Sequence, residues 1–93
     1  MNYRRVEADI LPRLIFTKID ALDKIDEKRE REHQLFSAMA LTSTEHEEVG
    51  LIVMLMNGEK IEVMSSHIEY GGEHVELKGG YMIPLKAIVK VEI

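Results

Sequence analysis

Three glycine-bearing dipeptides, Asn57-Gly58, Gly71-Gly72 and Gly79-Gly80, limit what this chain can fold into more than any other feature. They divide the second half into segments that read as strands. VGLIVMLM (49–56) is β-prone and stops at Asn57-Gly58, a dipeptide whose residues both tolerate the positive φ of a tight hairpin turn. EKIEVMSSHIEY (59–70) is a long second strand with a bend expected near Ser65-Ser66. EHVELK (73–78) follows Gly71-Gly72, and YMI (81–83) follows Gly79-Gly80. Pro84 has no N–H to give a ladder and ends that strand. LKA (85–87) fits one helical turn before a last strand, IVKVEI (88–93). By analogy, a strongly bent second strand and a short turn before the fifth point to a five-stranded antiparallel β-barrel of the SH3-like or Sm-like kind.

The first half reads differently. Residues 18–41 contain no Gly or Pro and are mostly good helix formers. Thr17 and Asp20 have the spacing of a weak capping box. Ile19, Leu22 and Ile25 make one apolar stripe, and Leu35, Phe36 and Met39 make another. The charged run DEKREREHQ (26–34) separates them, which leaves one long helix with a solvated middle or a helix–loop–helix. Thr42, Ser43 and Thr44 close the pattern. Residues 1–16, with Pro12 among them, suggest irregular chain or a short helical turn. At 93 residues the chain is one domain. The expected fold is α+β, with an N-terminal segment and helix (1–44) followed by the barrel (45–93).

A two-residue loop at Asn57-Gly58 would set Met56 opposite Glu59, Met54 opposite Ile61 and Ile52 opposite Val63. That face, with Ile68, Val75, Leu77, Val89 and Val91, would fill the barrel. Leu51, Val53 and Leu55, with Met64 beside them, would then lie outside as an apolar patch of a kind that monomers rarely expose. A helix over 18–41 would span about 36 Å, against a radius of gyration of about 12–13 Å for a globule this size. One of its stripes would overhang. The expected partner is a second copy, in a homodimer whose interface draws on Leu22, Ile25, Leu35, Phe36, Met39, Leu51, Val53 and Leu55.

The chain offers little for catalysis. Ser66 and His67 are neighbours in a strand and point to opposite faces, so they make no nucleophile–base pair. Lys78-Gly79-Gly80 lacks the spacing of a phosphate loop. His33 and His46 read as solvated residues. There is no cysteine to ligate a metal or form a disulfide. A two-residue turn at Gly71-Gly72 would place His67, Glu69, His74 and Glu76 on one strand face as cross-strand His–Glu pairs. Those four are the one arrangement that could hold a divalent ion, though wet surface pairing is the simpler reading. The expectation is a non-enzymatic interaction or self-assembly module with no cofactor. Residues 45–93 carry nine acids and four bases, while charges cancel over 1–44. An acidic barrel repels phosphate backbones and disfavours nucleic acid. The alternative, a nucleic-acid-associated accessory protein, would depend on Arg4, Arg5 and Arg13. No apolar run approaches the roughly 18 residues of a membrane span, and a cytoplasmic location is expected.

Residues 75–91 read Val-Glu-Leu-Lys-Gly-Gly-Tyr-Met-Ile-Pro-Leu-Lys-Ala-Ile-Val-Lys-Val. This stretch resembles the C-terminal pattern V-x-L-K-G-G-x-x-I-P-(I/L)-x-x-I-x-x-V of a group of small bacterial proteins of about this length. That resemblance implies a fold and no activity. A weaker similarity is to the YolD-like family, whose C-terminal half also ends strand, Ile-Pro, turn, strand. Its members are thought to accompany error-prone DNA polymerases, which would imply a DNA-damage accessory role. The Arg-Gly and Pro-Phe motifs of that family's N-terminal part have no counterpart here.

Overall fold

In the computed structural model, which describes residues 3–93, the chain is α+β: seven strands in two sheets and a single α-helix. The strands are β1 (Arg4–Val6), β2 (Val49–Met54), β3 (Lys60–Ser65), β4 (Ile68–Gly71), β5 (His74–Leu77), β6 (Met82–Pro84) and β7 (Ile88–Glu92). One sheet runs β1-β3-β2-β7 and the other β4-β5-β6. The pairs are antiparallel except β1 with β3, which is parallel. The two sheets do not close into one hydrogen-bonded barrel, so the expected five-stranded closed form is replaced by an open pair of sheets.

The expected bend joins the sheets, between β3 and β4. Ser65 is buried there, and its Oγ donates to the His67 carbonyl at 2.6 Å. The same oxygen accepts the N–H of His67 at 3.2 Å and that of Lys78 at 3.3 Å. One hydroxyl thus satisfies backbone groups on both sides of the bend and at the end of β5. A 3₁₀ turn over Leu85–Ala87 leads from β6 into β7, where LKA was expected to turn.

Both hairpins depart from the expected registers: partners move by two residues at the second, which keeps its faces, and by one at the first. Met54 pairs with Lys60, Val53 with Ile61 and Leu51 with Val63. The connection is longer than two residues: Leu55 N–H donates to the Glu59 carbonyl, and Gly58 N–H to that of Leu55. A one-residue slip exchanges the faces of a strand. Val49, Leu51, Val53 and Leu55 therefore join Ile61, Val63, Ile68, Val75, Leu77 and Val91 in the core. Met54 is half-buried, and Ile52 is fully buried on the opposite face. Its cross-strand neighbours there are Glu62 and Lys90, whose aliphatic stems can cover it. A bulge in β7 leaves Val89 without a cross-strand partner, so that Ile88 and Val91 both face inward and Val89 is half-buried. At the next hairpin the turn is Gly72-Glu73, because Gly71 already pairs with His74. Gly72 takes the positive φ of that turn, 65°.

The α-helix α1 spans Ile25–Thr44, not 18–41. Thr17 and Asp20 do not cap it. Thr17 Oγ1 bonds the Ile19 carbonyl and accepts the Ile19 N–H, and Asp20 Oδ1 accepts the Leu22 N–H at 2.9 Å. These local side-chain bonds stabilise turns in place of a helical start. At the other end, Thr42 and Thr44 bond back to the carbonyls of Met39 and Ala40, which carries the helix through the threonines. A 20-residue helix is about 30 Å long, within molecular extents of 35 × 30 × 27 Å. The overhang that pointed to a dimer is therefore absent. No helix among the described residues is long and apolar enough to cross a membrane.

One face of α1 buries Arg31, Leu35, Ala38 and Thr42, the three- and four-residue spacing of an inward stripe. The helix lies against an edge strand of each sheet. Toward β4, the Tyr70 N–H points at Met39 Sδ, 3.3 Å away. Toward β7, Gln34 Oε1 accepts the Val91 N–H at 2.9 Å, and Arg31 Nη1 donates to the Ile88 carbonyl at 3.0 Å. The N-terminal segment, expected to be irregular or a short turn, contributes β1 and a 3₁₀ helix over Ala8–Arg13 with Pro12 inside it.

Candidate docking surface

After the 3₁₀ helix the chain extends along the loop that follows β2. Phe16 bridges to Leu55, the Met56 N–H donates to the Ile15 carbonyl at 2.8 Å, and the Thr17 N–H to that of Met54 at 3.2 Å. In extended chain, successive side chains alternate in direction. Leu14 and Phe16 pack against the core, while Ile15 stands 63% exposed. Met56, next to it across the pairing, is 60% exposed. On the other side of Leu14 lies the start of β6, where Tyr81, just before the strand, packs against the core and Met82 is 51% exposed. The turn before it is tight: a Cβ on Gly79, at φ +90°, would come within 2.9 Å of the Tyr81 ring.

Two open clefts meet at Leu14. One, of about 510 Å³, runs between Arg13, Ile15, Met56 and the Arg4–Glu59 pair. The other, of about 330 Å³, lies between Leu11, Pro12, Phe16, Tyr81 and the β6 side chain Met82. β6 is the last strand of its sheet and ends on Pro84, so its edge has little to offer an incoming strand. The surface is suited to receiving apolar side chains.

Charges around this surface are mostly paired. Arg4 donates from Nε and Nη2 to the two Glu59 carboxylate oxygens at 2.8 and 3.0 Å. This pair holds the Glu59 carboxyl below the usual carboxylate range and raises the Arg4 guanidinium. Arg5 is paired with Glu62 at 2.9 Å. Arg13 has no ion pair among the described residues. Nothing lining these clefts pairs a nucleophile with a base.

A third cleft, about 560 Å³, lies between α1 and β7 and is bordered by Leu22, Val89, Lys90, Gln34 and the acids Asp26, Glu27 and Glu30. Arg31 lines it, 4% exposed. Its guanidinium is bidentate to Asp20, Nη1 to Oδ1 at 2.8 Å and Nη2 to Oδ2 at 3.0 Å. Hydrogen bonding to Arg31 is the main reason why the Asp20 carboxyl is held below its ordinary range. The Arg31 Nε–H is buried without an acceptor.

The residues singled out in the sequence are dispersed. Leu35, Leu51, Val53 and Leu55 lie in the chain's own core, so they supply no interface with another molecule. The register slip explains the strand residues. Leu35 is taken by the inward stripe of α1. Met39 and Leu22 are half-buried, while Ile25 and Phe36 are exposed. Phe36 meets Tyr70 edge-on at 5.2 Å between centroids. The four possible metal ligands are not gathered. The shifted turn sets Glu69 opposite Glu76 and His74 between Gly71 and Pro84. His67 Nε2 lies 3.7 Å from Glu69. No three His, Cys, Asp or Glu side chains among the described residues are placed to share an ion. Ile15, Met56 and Met82 were not singled out for an interface. The signal for Met56 was its place just before Asn57-Gly58, where a longer loop turns it outward.

Compared with known protein families, with curated proteins and with solved structures, the chain matches none.

Proposed function

We propose that this chain is a non-enzymatic module that works through protein contacts, self-association foremost, using the apolar surface around Leu14. The observation that carries this reading is the cluster of Ile15, Met56 and Met82, each more than half exposed, around two clefts that meet at one residue. Exposed apolar side chains grouped around clefts mark contact sites. The alternative, a nucleic-acid accessory role, draws less support: Arg4 and Arg5 are engaged by Glu59 and Glu62, and the net charge is −5. We also propose that the chain is an opened relative of an SH3-like barrel, a reading supported by the strand order β7-β2-β3, a bend, then β4-β5-β6, and the 3₁₀ turn before β7. The test is sedimentation of the full chain from low to high micromolar concentration, beside Ile15→Asp with Met56→Asp. A concentration-dependent rise in mass, abolished in the double variant with its circular dichroism unchanged, supports the reading. A wild type that stays monomeric throughout overturns self-association.

A further inference from the structure

Two of the surface clefts complement each other in charge. Beside Ile15 and Met56, Arg4 is cancelled by Glu59, and Arg13 is left without an ion pair among the described residues. In the cleft beside α1, Arg31 is cancelled by Asp20 and Lys90 lies 3.7 Å from Glu92, while Asp26, Glu27 and Glu30 have no ion pair among the described residues. The first cleft has protruding apolar side chains at its rim. The second is a recess of about 560 Å³ with Leu22 and Val89 in its lining.

We infer that the Ile15–Met56 surface of one copy docks into the acid-rimmed cleft between α1 and β7 of a second copy, with Arg13 meeting Glu27 and Glu30. This rests on the self-association proposed above and names the second surface. Charge complementarity selects the partner face and the register of docking, while the apolar side chains supply the affinity. A contact that joins two different surfaces is heterologous unless a two-fold axis repeats it.

The test uses charge reversal in the full-length chain. Arg13→Glu and the double variant Glu27→Lys with Glu30→Lys change exposed side chains only. Each is expected to weaken association about tenfold or more in sedimentation at low salt. An equimolar mixture of the two is expected to recover it, because one possible contact is wild type and the other is its charge-swapped equivalent. Arg13→Gln and Glu27→Gln with Glu30→Gln, milder changes, should weaken association in the same direction. If wild type associates but the reversals do not weaken it, or the mixture does not recover, this docking is overturned and self-association stands. If wild type never associates, both fall.

Discussion

The two ends of the β unit are finished in opposite ways. On one, α1 covers an edge strand of each sheet, with Gln34 and Arg31 bonded to β7 and Met39 against β4. On the other, residues 14–16 pair with the loop after β2 and leave Ile15, Met56 and Met82 in solvent. Both ends started from the same difficulty, unpaired backbone and apolar surface at the margin of a small open sheet. The helix end meets it with specific polar bonds that have no use beyond the chain. The other end meets the backbone requirement and leaves side chains uncovered. Substitutions that break the polar bonds of α1 should therefore cost stability, and those that remove the exposed side chains of the other end should cost association.

Arg31→Ala should have the largest effect. It strands the Asp20 carboxylate, removes the donor to Ile88 and leaves a gap beside α1. A loss of about 3 kcal/mol is expected in urea unfolding. The same pair sets a pH dependence. Asp20 is held below its ordinary pKa in the fold, so the unfolded chain binds the proton more readily. The pair's contribution is complete above the unfolded-state value and disappears as pH falls through the folded one. Asp20→Asn should flatten the acid limb of stability against pH, and an unchanged limb would show that Asp20 does not report on folding. Ser65→Ala comes next, at about 2 kcal/mol, since the Lys78 and His67 N–H groups lose their acceptor at the bend. Gln34→Ala should lose about 1 kcal/mol and speed exchange of the Val91 amide. Last, Ile15→Asp with Met56→Asp should move the unfolding midpoint by under about 0.5 kcal/mol. A large loss there would mean that the open end is held together by the residues it exposes.

Most of the second half was legible. Strand content, the bend at Ser65-Ser66 and the turn over 85–87 follow from β-branched runs, glycines and Pro84, all local signals. Register was not legible, because Asn57-Gly58 fits more than one loop length, Gly71-Gly72 fits more than one turn position, and VGLIVMLM is apolar at nearly every position. Either register buries something acceptable. The choice falls to Leu51, Val53 and Leu55 inside, with Ile52 sheltered by Glu62 and Lys90, and that preference depends on the neighbouring strands. The helix start was misplaced because Thr17 and Asp20 have the chemistry of caps and of turns alike. The buried Arg31–Asp20 pair, within a run that reads as solvated charge, left no periodic trace. The exposed side chains Ile15, Met56 and Met82 were legible only as excess apolar content, which the expected register had assigned to Leu51, Val53 and Leu55.

The sealing of the two edges by α1 also bears on the order in which the structure can assemble. Gln34 and Val91 are 57 positions apart along the chain, as are Arg31 and Ile88, and Arg4 reaches Glu59 across 55. Contacts of this span close large loops before they contribute any stability, and domains dominated by them fold in milliseconds to seconds. A protein with one substantial helix would thus refold at the pace of a β protein. During that interval β4 and β7 have bare edges, and the same helix that protects the native molecule is too far along the chain to shield its intermediates.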